Sequence, residues 1–464
     1  MFRFIDRQKE MIRLQKVYDA DRSSLVILYG RRRVGKTALI SEFIKDKDAL
    51  YFLATEESEA QNRKAFKDAV ADYLNNDLLH SAEVRAWDPI FQTLIAPKPK
   101  DKRILVIDEF QYLGKSEPAF PSIFQRIWDT LLKDENIMVI LCGSLITMME
   151  SQTLKYTSPL YGRRTAQIKL SQIPFRYYHE FYPQMDSRDL IEHYAITGGV
   201  PKYIELCDSR MNVFEMIEEY ILETTGFLYE EPNFLLRNEV SEVGSYFSII
   251  KAIAAGNQKL SKISTVLEVP QTNLSKYLRT LIDLDILERE VPVTEDKPEK
   301  SKKGLYKIKD NFIRFWFRFV FPYRSYLERG DTEYALNKIR KNLMDGHVSY
   351  VFEDICREKL WELNANGLWN FSFDRVGRWW DNNNNEIDAV AVDENGRNLL
   401  LGECKYWTAP VGANVLRDLE AKADLVEWNK GNRTVWFALF SASGFTDDLK
   451  EIACKRSDVQ LIEF

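Results

Sequence analysis

Uninterrupted apolar runs dominate the first third of the chain. "SSLVILYG" (23–30), "ALYFLA" (49–54), "RILVID" (103–108) and "IMVILCG" (137–143) each have the length and composition of a strand buried on both faces. Between them, "KTALISEFIKD", residues 56–96 and "FQRIWDTLLKD" carry helical spacing. Strands alternating with helices predict a parallel sheet covered on both sides. Residues 171–240 read as mostly helical, rich in tyrosine and glutamate, and punctuated by "GGVPKY" (198–203). The pattern then changes. Leu274, Tyr277, Leu278 and Leu281 repeat at helical spacing, and "EREVPV" and "GLYKI" flank a lysine-rich tip. This predicts a helix–turn–helix followed by a two-stranded wing. Beyond residue 311 comes an aromatic helix, "FIRFWFRFVFPY". The remaining pattern predicts a helix at 348–362, strands at 374–380, 386–392 and 398–406, and a helix at 411–428. A strand at 433–440, a helix at 445–456 and a last strand follow. Asn395-Gly396 marks a tight hairpin between two of these strands.

Composition narrows this only slightly. With 464 residues, 45% hydrophobic and 29% charged, the chain is ordinary globular material of several domains. A net charge of −6 gives no general affinity for nucleic acid, so any such role needs a local basic patch. Five cysteines (Cys142, Cys207, Cys356, Cys404, Cys454) and four histidines (His80, His179, His193, His347) are scattered. Without a paired spacing they read as reduced thiols and ordinary histidines, not as disulfides or a zinc site. The N-terminus is charged from its start and does not read as a secretory signal, so a cytoplasmic location is expected. The aromatic run is too short to span a bilayer and is broken by Arg314 and Arg318. It reads as a buried core helix, and no membrane contact is expected.

Three stretches carry chemistry. The first is Gly30-x-x-x-x-Gly35-Lys36-Thr37, after a strand and opening a helix. Glycines at those places let backbone N–H groups turn toward phosphate oxygens, with the positive end of the helix behind them. Lys36 is placed to reach the β- and γ-phosphates of ATP, and Thr37 to bind Mg²⁺. "ILVIDEF" adds Asp108 and Glu109 at the end of a buried strand. Asp108 can complete the Mg²⁺ shell, and Glu109 can polarise the attacking water.

The second stretch is the helix bearing Gln271, Thr272, Asn273, Lys276 and Arg279, with Lys297, Lys300, Lys302 and Lys303 at the wing tip. Such side chains can meet base edges and phosphates. The same module could equally contact protein, since a fold does not fix a function.

The third is "NEIDAVAVDENGRNLLLGECKYW". Glu403 and Lys405 share one strand face, and Asp388 on the paired strand can join them. Two carboxylates and a lysine at one point can bind Mg²⁺ or Mn²⁺ and activate water against a phosphodiester. Charges inside so apolar a strand need a partner or a metal. Other Glu-x-Lys triplets, "EDK" at 295–297 and "EAK" at 420–422, lack that setting. Trp379, Trp380 and Trp407 flank the stretch and read as packing ahead of base-stacking.

Asp108-Glu109, with Ser144 after "IMVILCG", resembles the AAA+/STAND branch of P-loop ATPases. "FIDRQKE", "SPLYGRRT" and "GGVPKY" are similar to segments of a prokaryotic family within that branch. The resemblance implies that Asp6 and Arg7 lie near the nucleotide base and that Ser144 senses the γ-phosphate. It makes Arg163 or Arg164 a transition-state arginine and Pro201 part of a nucleotide-contacting lid. "VGRWWDNNNNEIDAVA" and "GECKYW" resemble that family's C-terminal domain, of PD-(D/E)XK nuclease type. By that resemblance Asp388 and Glu403 are metal ligands, Lys405 orients water, and Glu353 is an outer acidic partner. The proline usual before the first aspartate is replaced by Ile387.

The implied architecture is an α/β P-loop ATPase sheet (1–170), a helical lid (171–242), a winged helix–turn–helix (243–310) and a restriction-endonuclease-like α/β domain (311–464). The implied function is Mg²⁺-dependent ATP hydrolysis coupled to DNA binding and metal-dependent DNA cleavage, in a monomer or homo-oligomer. The alternatives are an ATP-dependent DNA- or protein-binding regulator with a silent nuclease-like domain, and a nucleotide sensor with negligible turnover.

Overall fold

The computed structural model describes residues 4–98 and 100–464; the first three residues of the charged N-terminus lie outside that range. The chain divides into two compact units. One comprises residues 4–173 with Val200–Lys202 and Leu235–Ser241; the other comprises Pro174–Gly199, Tyr203–Phe234 and Glu242–Phe464.

The first unit is built on a five-stranded parallel sheet. Its strands are β1 (Ser24–Tyr29), β2 (Ala49–Leu53), β3 (Arg103–Asp108), β4 (Ile137–Gly143) and β5 (Ala166–Lys169), in the order β2-β3-β4-β1-β5. Every residue of β1, β3 and β4 is buried, as their unbroken apolar runs require. The fifth strand was not legible in the sequence. "AQIK" is half polar, and its burial alternates because it is an edge strand pairing only with β1.

The second unit carries a mixed sheet of β8 (Arg375–Trp380), β9 (Glu386–Val392), β10 (Asn398–Lys405), β11 (Thr434–Ser441) and β12 (Val459–Glu463), ordered β12-β11-β10-β9-β8. β8, β9 and β10 pair antiparallel, whereas β10, β11 and β12 run parallel. The helices Ala413–Ala423 and Asp447–Lys455 make the crossovers. Leu399, Leu401, Val390, Val392, Leu416 and Leu419 form the heart of its core.

Ahead of this sheet, helices Val243–Ala254, Leu260–Leu267 and Gln271–Asp283 lead into an antiparallel hairpin of β6 (Leu287–Glu290) and β7 (Leu305–Ile308). Leu274, Leu278 and Leu281 are buried along the third helix, which leaves its polar side outward. The aromatic run forms consecutive helical turns from Asn311 to Tyr323, and Trp316 is wholly buried with its indole N–H on the Tyr229 carbonyl at 2.7 Å. Among the described residues no helix is long and apolar enough to cross a membrane. All five cysteines are free thiols.

Residues 174–199 are fastened onto the C-terminal elements. Tyr406 donates to Glu192 Oε1 at 2.8 Å, and Arg188 reaches the Trp407 carbonyl at 3.2 Å. His347 is fully buried, and its Nε2–H donates to the Ala195 carbonyl at 2.6 Å. Among the described residues its Nδ1 has no hydrogen-bond partner. Burial and then the nearby Arg314 guanidinium push its pKa down to about 3.

A histidine neutral in the fold but titrating near 6.5 when unfolded gives the unfolded state more protons at acid pH. Folding stability must therefore fall by about 1.4 kcal/mol for each pH unit below about 6.5. Urea denaturation from pH 7 to pH 5 should show this loss, and His347→Gln should flatten it.

Candidate functional site

The N-terminal unit brings most of the phosphate-loop residues to one edge of its sheet. Gly35, in the left-handed region at φ 96°, opens the helix Lys36–Ile44. Gly30 has no room for a side chain, because a Cβ would run into the Leu170 carbonyl oxygen beyond β5. Lys36 is buried, and its ammonium donates to the carbonyls of Gly30 (2.8 Å) and Arg31 (2.9 Å). Burial lowers its pKa, against the raising influence of Glu109 and Asp108. The loop is thus held in shape by the same ammonium that would meet a phosphate.

Thr37 Oγ1 lies 3.5 Å from Asp108 Oδ2. Asp108 also accepts from the Tyr51 hydroxyl and, through Oδ1, from the Glu109 N–H at 2.9 Å. Burial and the Asp108 bond together raise the Tyr51 phenol far above its usual range. Glu109 has a positive φ of 53°. Its Oε2 accepts from the Ser144 hydroxyl (2.7 Å), the Ser144 N–H (3.2 Å) and Gln111. A hydroxyl and a carboxylate, oxygen donors suited to Mg²⁺, therefore adjoin the loop, as that cation requires.

Asp6 and Arg7 adopt left-handed backbones in succession (φ 61° and 77°), a strained pair for residues with side chains. Arg7 is buried and donates to the carbonyls of Val34 (3.0 Å) and Ser171 (2.7 Å). Its observed partners hold the phosphate loop against the segment after β5. Pro201 adjoins the loop, with Cγ 3.8 Å from where a Cβ on Gly35 would sit. Arg163 is engaged elsewhere, bidentate on Asp129 (2.7 and 2.9 Å) and bonded to the Pro159 carbonyl. Arg164 lies over the Tyr161 ring. Sequence reasoning missed Tyr51, Gln111 and Glu239. Glu239 accepts from the Ile146 N–H and the Thr147 hydroxyl at 3.2 and 3.0 Å. None of the three falls in a motif, and each is recruited by tertiary folding alone.

In the C-terminal unit, Asp388 Oδ2 accepts from the Cys404 N–H across the β9–β10 pair at 3.0 Å. Glu403 is buried, with Lys405 Nζ on Oε1 at 2.7 Å and Lys422 Nζ on Oε2 at 3.2 Å. Lys422, from the "EAK" triplet, is a partner that sequence reasoning set aside. The helix that carries it returns over β10, which no local pattern reveals. Asp388 is pushed up by burial and then by Glu403, the mark of carboxylates that share a site. Glu353, on the helix Ser349–Ala365, is raised by burial and then by Asp388. It faces Arg357 (3.7 Å) and Arg378 (3.8 Å). Carboxylates raised by burial and by a neighbouring carboxylate fit a divalent cation, which would relieve both effects.

The expected trio is not the tightest acidic group. Among the described residues, the three carboxylates whose oxygens lie within 4.8 Å of one another are Glu288, Glu290 and Asp354. Lys307 Nζ reaches all three, at 3.6, 3.5 and 2.6 Å. Of the flanking tryptophans, Trp379 lies in the core, whereas Trp407 is 44% exposed. Trp407 falls beyond the end of β10, with Lys405 Nζ 5.5 Å from its ring centre, so packing does not account for it. Gln271, Thr272, Asn273, Lys276 and Arg279 are exposed, as are Lys297, Lys300, Lys302 and Lys303. Lys303 pairs with Glu295 at 2.8 Å.

Such a strand–loop–helix with its acidic strand end defines a P-loop ATPase domain. Residues 4–207 match the family described as an ATPase domain predominantly from Archaea. Residues 316–420 match a second, described as "Archaea bacterial proteins of unknown function". An uncharacterized protein of Methanocaldococcus jannaschii, MJECL04, is 35% identical over 428 residues, 91% of this chain and 92% of that protein. The chain belongs to its family. An uncharacterized ATP-binding protein of the same organism, MJ0423, is 46% identical over 44 residues, 10% of this chain and 75% of that one. Among solved structures, the Walker-type ATPase PABY2304 of Pyrococcus abyssi covers 68% of this chain and 96% of its own, at 19% identity and a TM-score of 0.47.

Replacing Arg7 by methionine removes two buried carbonyl bonds and leaves the left-handed pair unsupported. Stability should drop by about 1–3 kcal/mol, seen as a lower urea midpoint, and ATP affinity should fall with it.

Proposed function

We propose that this protein hydrolyses ATP with Mg²⁺ and couples the ATP state to DNA binding and metal-dependent DNA cleavage by the C-terminal unit. The convergence of Asp388, Glu403 and Lys405 at the β9–β10 end carries the cleavage reading. In the ATP site, Lys36 neutralises phosphate charge, and Thr37 and Asp108 hold the cation. Glu109 takes a proton from the attacking water. The γ-phosphate competes for the Ser144 hydroxyl, which otherwise binds Glu109. ATP, but not ADP, thereby releases Glu109, and that differential contact biases the chain between two states.

At the C-terminal centre, Asp388 and Glu403 oxygens would hold Mg²⁺ or Mn²⁺. The cation would supply charge neutralisation and a more acidic water. Lys405 orients that water, and Glu353 acts from behind as a raised carboxylate. The three-helix module and its hairpin serve as a winged helix. It presents Lys276, Arg279 and the tip lysines to DNA phosphates.

One observation favours a second reading. Glu403 already has two ammonium partners, Lys405 and Lys422, and a carboxylate neutralised in that way can be structural. On that reading the unit binds DNA or protein without cutting.

Glu109→Gln should lower ATP turnover at least about 100-fold while ATP binding persists. A steady-state phosphate-release assay with parallel nucleotide titration measures both, and unchanged turnover would reduce the ATP site to a sensor. Linear and supercoiled DNA, incubated with Mg²⁺ or Mn²⁺ with and without ATP, should be cut by the wild type. Glu403→Gln and Lys405→Ala should abolish cutting. DNA bound but never cut would establish the second reading.

A further inference from the structure

The two arginines that interrupt the aromatic run have no part in either site above. Arg314 and Arg318 stand four residues apart on that helix and face a cleft of about 950 Å³ within the C-terminal unit. Lys251, Lys307, Arg378 and Glu386 also line it. Five cations therefore meet one carboxylate.

The cations fall into two groups. Lys307 is held by Glu288, Glu290 and Asp354, and Arg378 by Glu290 and Glu386 at 3.4 and 3.1 Å. These two are neutralised. Among the described residues Lys251, Arg314 and Arg318 make no salt bridge, although Asp354 and Glu353 act on Arg314 through space. Each lies instead against an aromatic ring: Lys251 5.2 Å from the centre of Phe321, Arg314 4.7 Å from Tyr350, and Arg318 5.6 Å from Phe319. Burial depresses the Arg314 pKa, and the field of Arg314 and Arg318 helps to hold His347 neutral. Three like charges gathered at one cleft, one of them buried, repel one another, and a bound anion would relieve that repulsion.

The form of that anion follows from the walls. Two guanidinium forks with an ammonium match the oxygens of a phosphate ester, which arginine can hold bidentately. Phe321 and the partly exposed Tyr350 add aromatic surface to the same cleft, of the kind on which nucleobases stack. The volume lies within the range of small-molecule sites, roughly 300–1,000 Å³. We infer that this cleft is a second nucleotide site, in which Arg314, Arg318 and Lys251 hold the phosphate and the aromatic wall takes the base. The nucleotide is either a free mononucleotide or one unit of a single strand. The inference stands apart from the cleavage reading, because it requires neither Glu403 nor a metal.

The test uses the full-length chain carrying Lys36→Ala, so that the phosphate loop does not compete. Fluorescence titrations follow a mant-labelled guanosine monophosphate and, separately, a fluorescein-labelled oligothymidine of about twelve residues, a length that matches single-strand sites. Arg318→Glu and Lys251→Glu, both at exposed positions, should each weaken binding by about tenfold or more, a charged contact's worth. Arg318→Lys should recover much of that loss, and Glu386→Gln should tighten binding. Thermal unfolding of each variant guards against misfolding. If the labelled mononucleotide responds, alone or with the oligothymidine, the ligand is a free nucleotide; if only the oligothymidine responds, it is a strand. If neither probe binds, or charge reversal leaves both affinities unchanged, the inference fails. Cleavage activity, read out through Glu403→Gln, is independent of either outcome.

Discussion

Carboxylates drawn away from water must be met by cations, and that requirement organises the C-terminal unit. Lys307 comes from β7 and lies among Glu288 and Glu290 of β6 and Asp354 of the helix Ser349–Ala365. Arg357 bonds Asp354 and gives its other nitrogen to the Asp388 carbonyl at 2.5 Å. Arg378 joins Glu290 to Glu353. The charges thus run continuously from the β6–β7 hairpin to the strand that carries Asp388. Removing one member leaves an uncompensated buried charge, which costs more than the pair contributes.

The ATP site is built on a similar economy of partners. In each of its key contacts a side chain that would touch nucleotide is already engaged by the protein. Lys36 rests on loop carbonyls, Thr37 and Tyr51 on Asp108, and Ser144 on Glu109. Such sites are pre-organised: ligand binding exchanges partners and does not create order. Tyr51 and Gln111 belong to the same set of contacts, on Asp108 and Glu109, although no motif includes them.

Much of the fold was legible in the sequence, for physical reasons that differ along the chain. β1, β3 and β4 are buried on both faces, so their apolar runs are unbroken and unmistakable. The C-terminal strands follow the spacing and the Asn395-Gly396 turn closely, with β9 at Glu386–Val392 and β10 at Asn398–Lys405. β5 was not legible, because an edge strand of four residues leaves little pattern. At the candidate centre, Asp388, Glu403 and Lys405 could be assembled from strand alternation alone. Lys422 could not, since it arrives from a crossover helix. Nor could Arg163's engagement with Asp129, because a surface arginine's partner is chosen by tertiary folding. Lys307 escaped notice for a related reason: a lysine in a short hairpin strand reads as solvated until the helix covering it is known.

The bond between Tyr406 and Glu192 joins residues 214 positions apart. A ribosome adding roughly 5–20 residues per second needs about 10–40 seconds to bridge that interval. For that time residues 174–199 exist without the surface they will cover. Leu190, Ile191 and Ile196 of this segment are buried in the finished structure. All five strands of the first sheet thus leave the ribosome well before the tyrosine that Glu192 will bind.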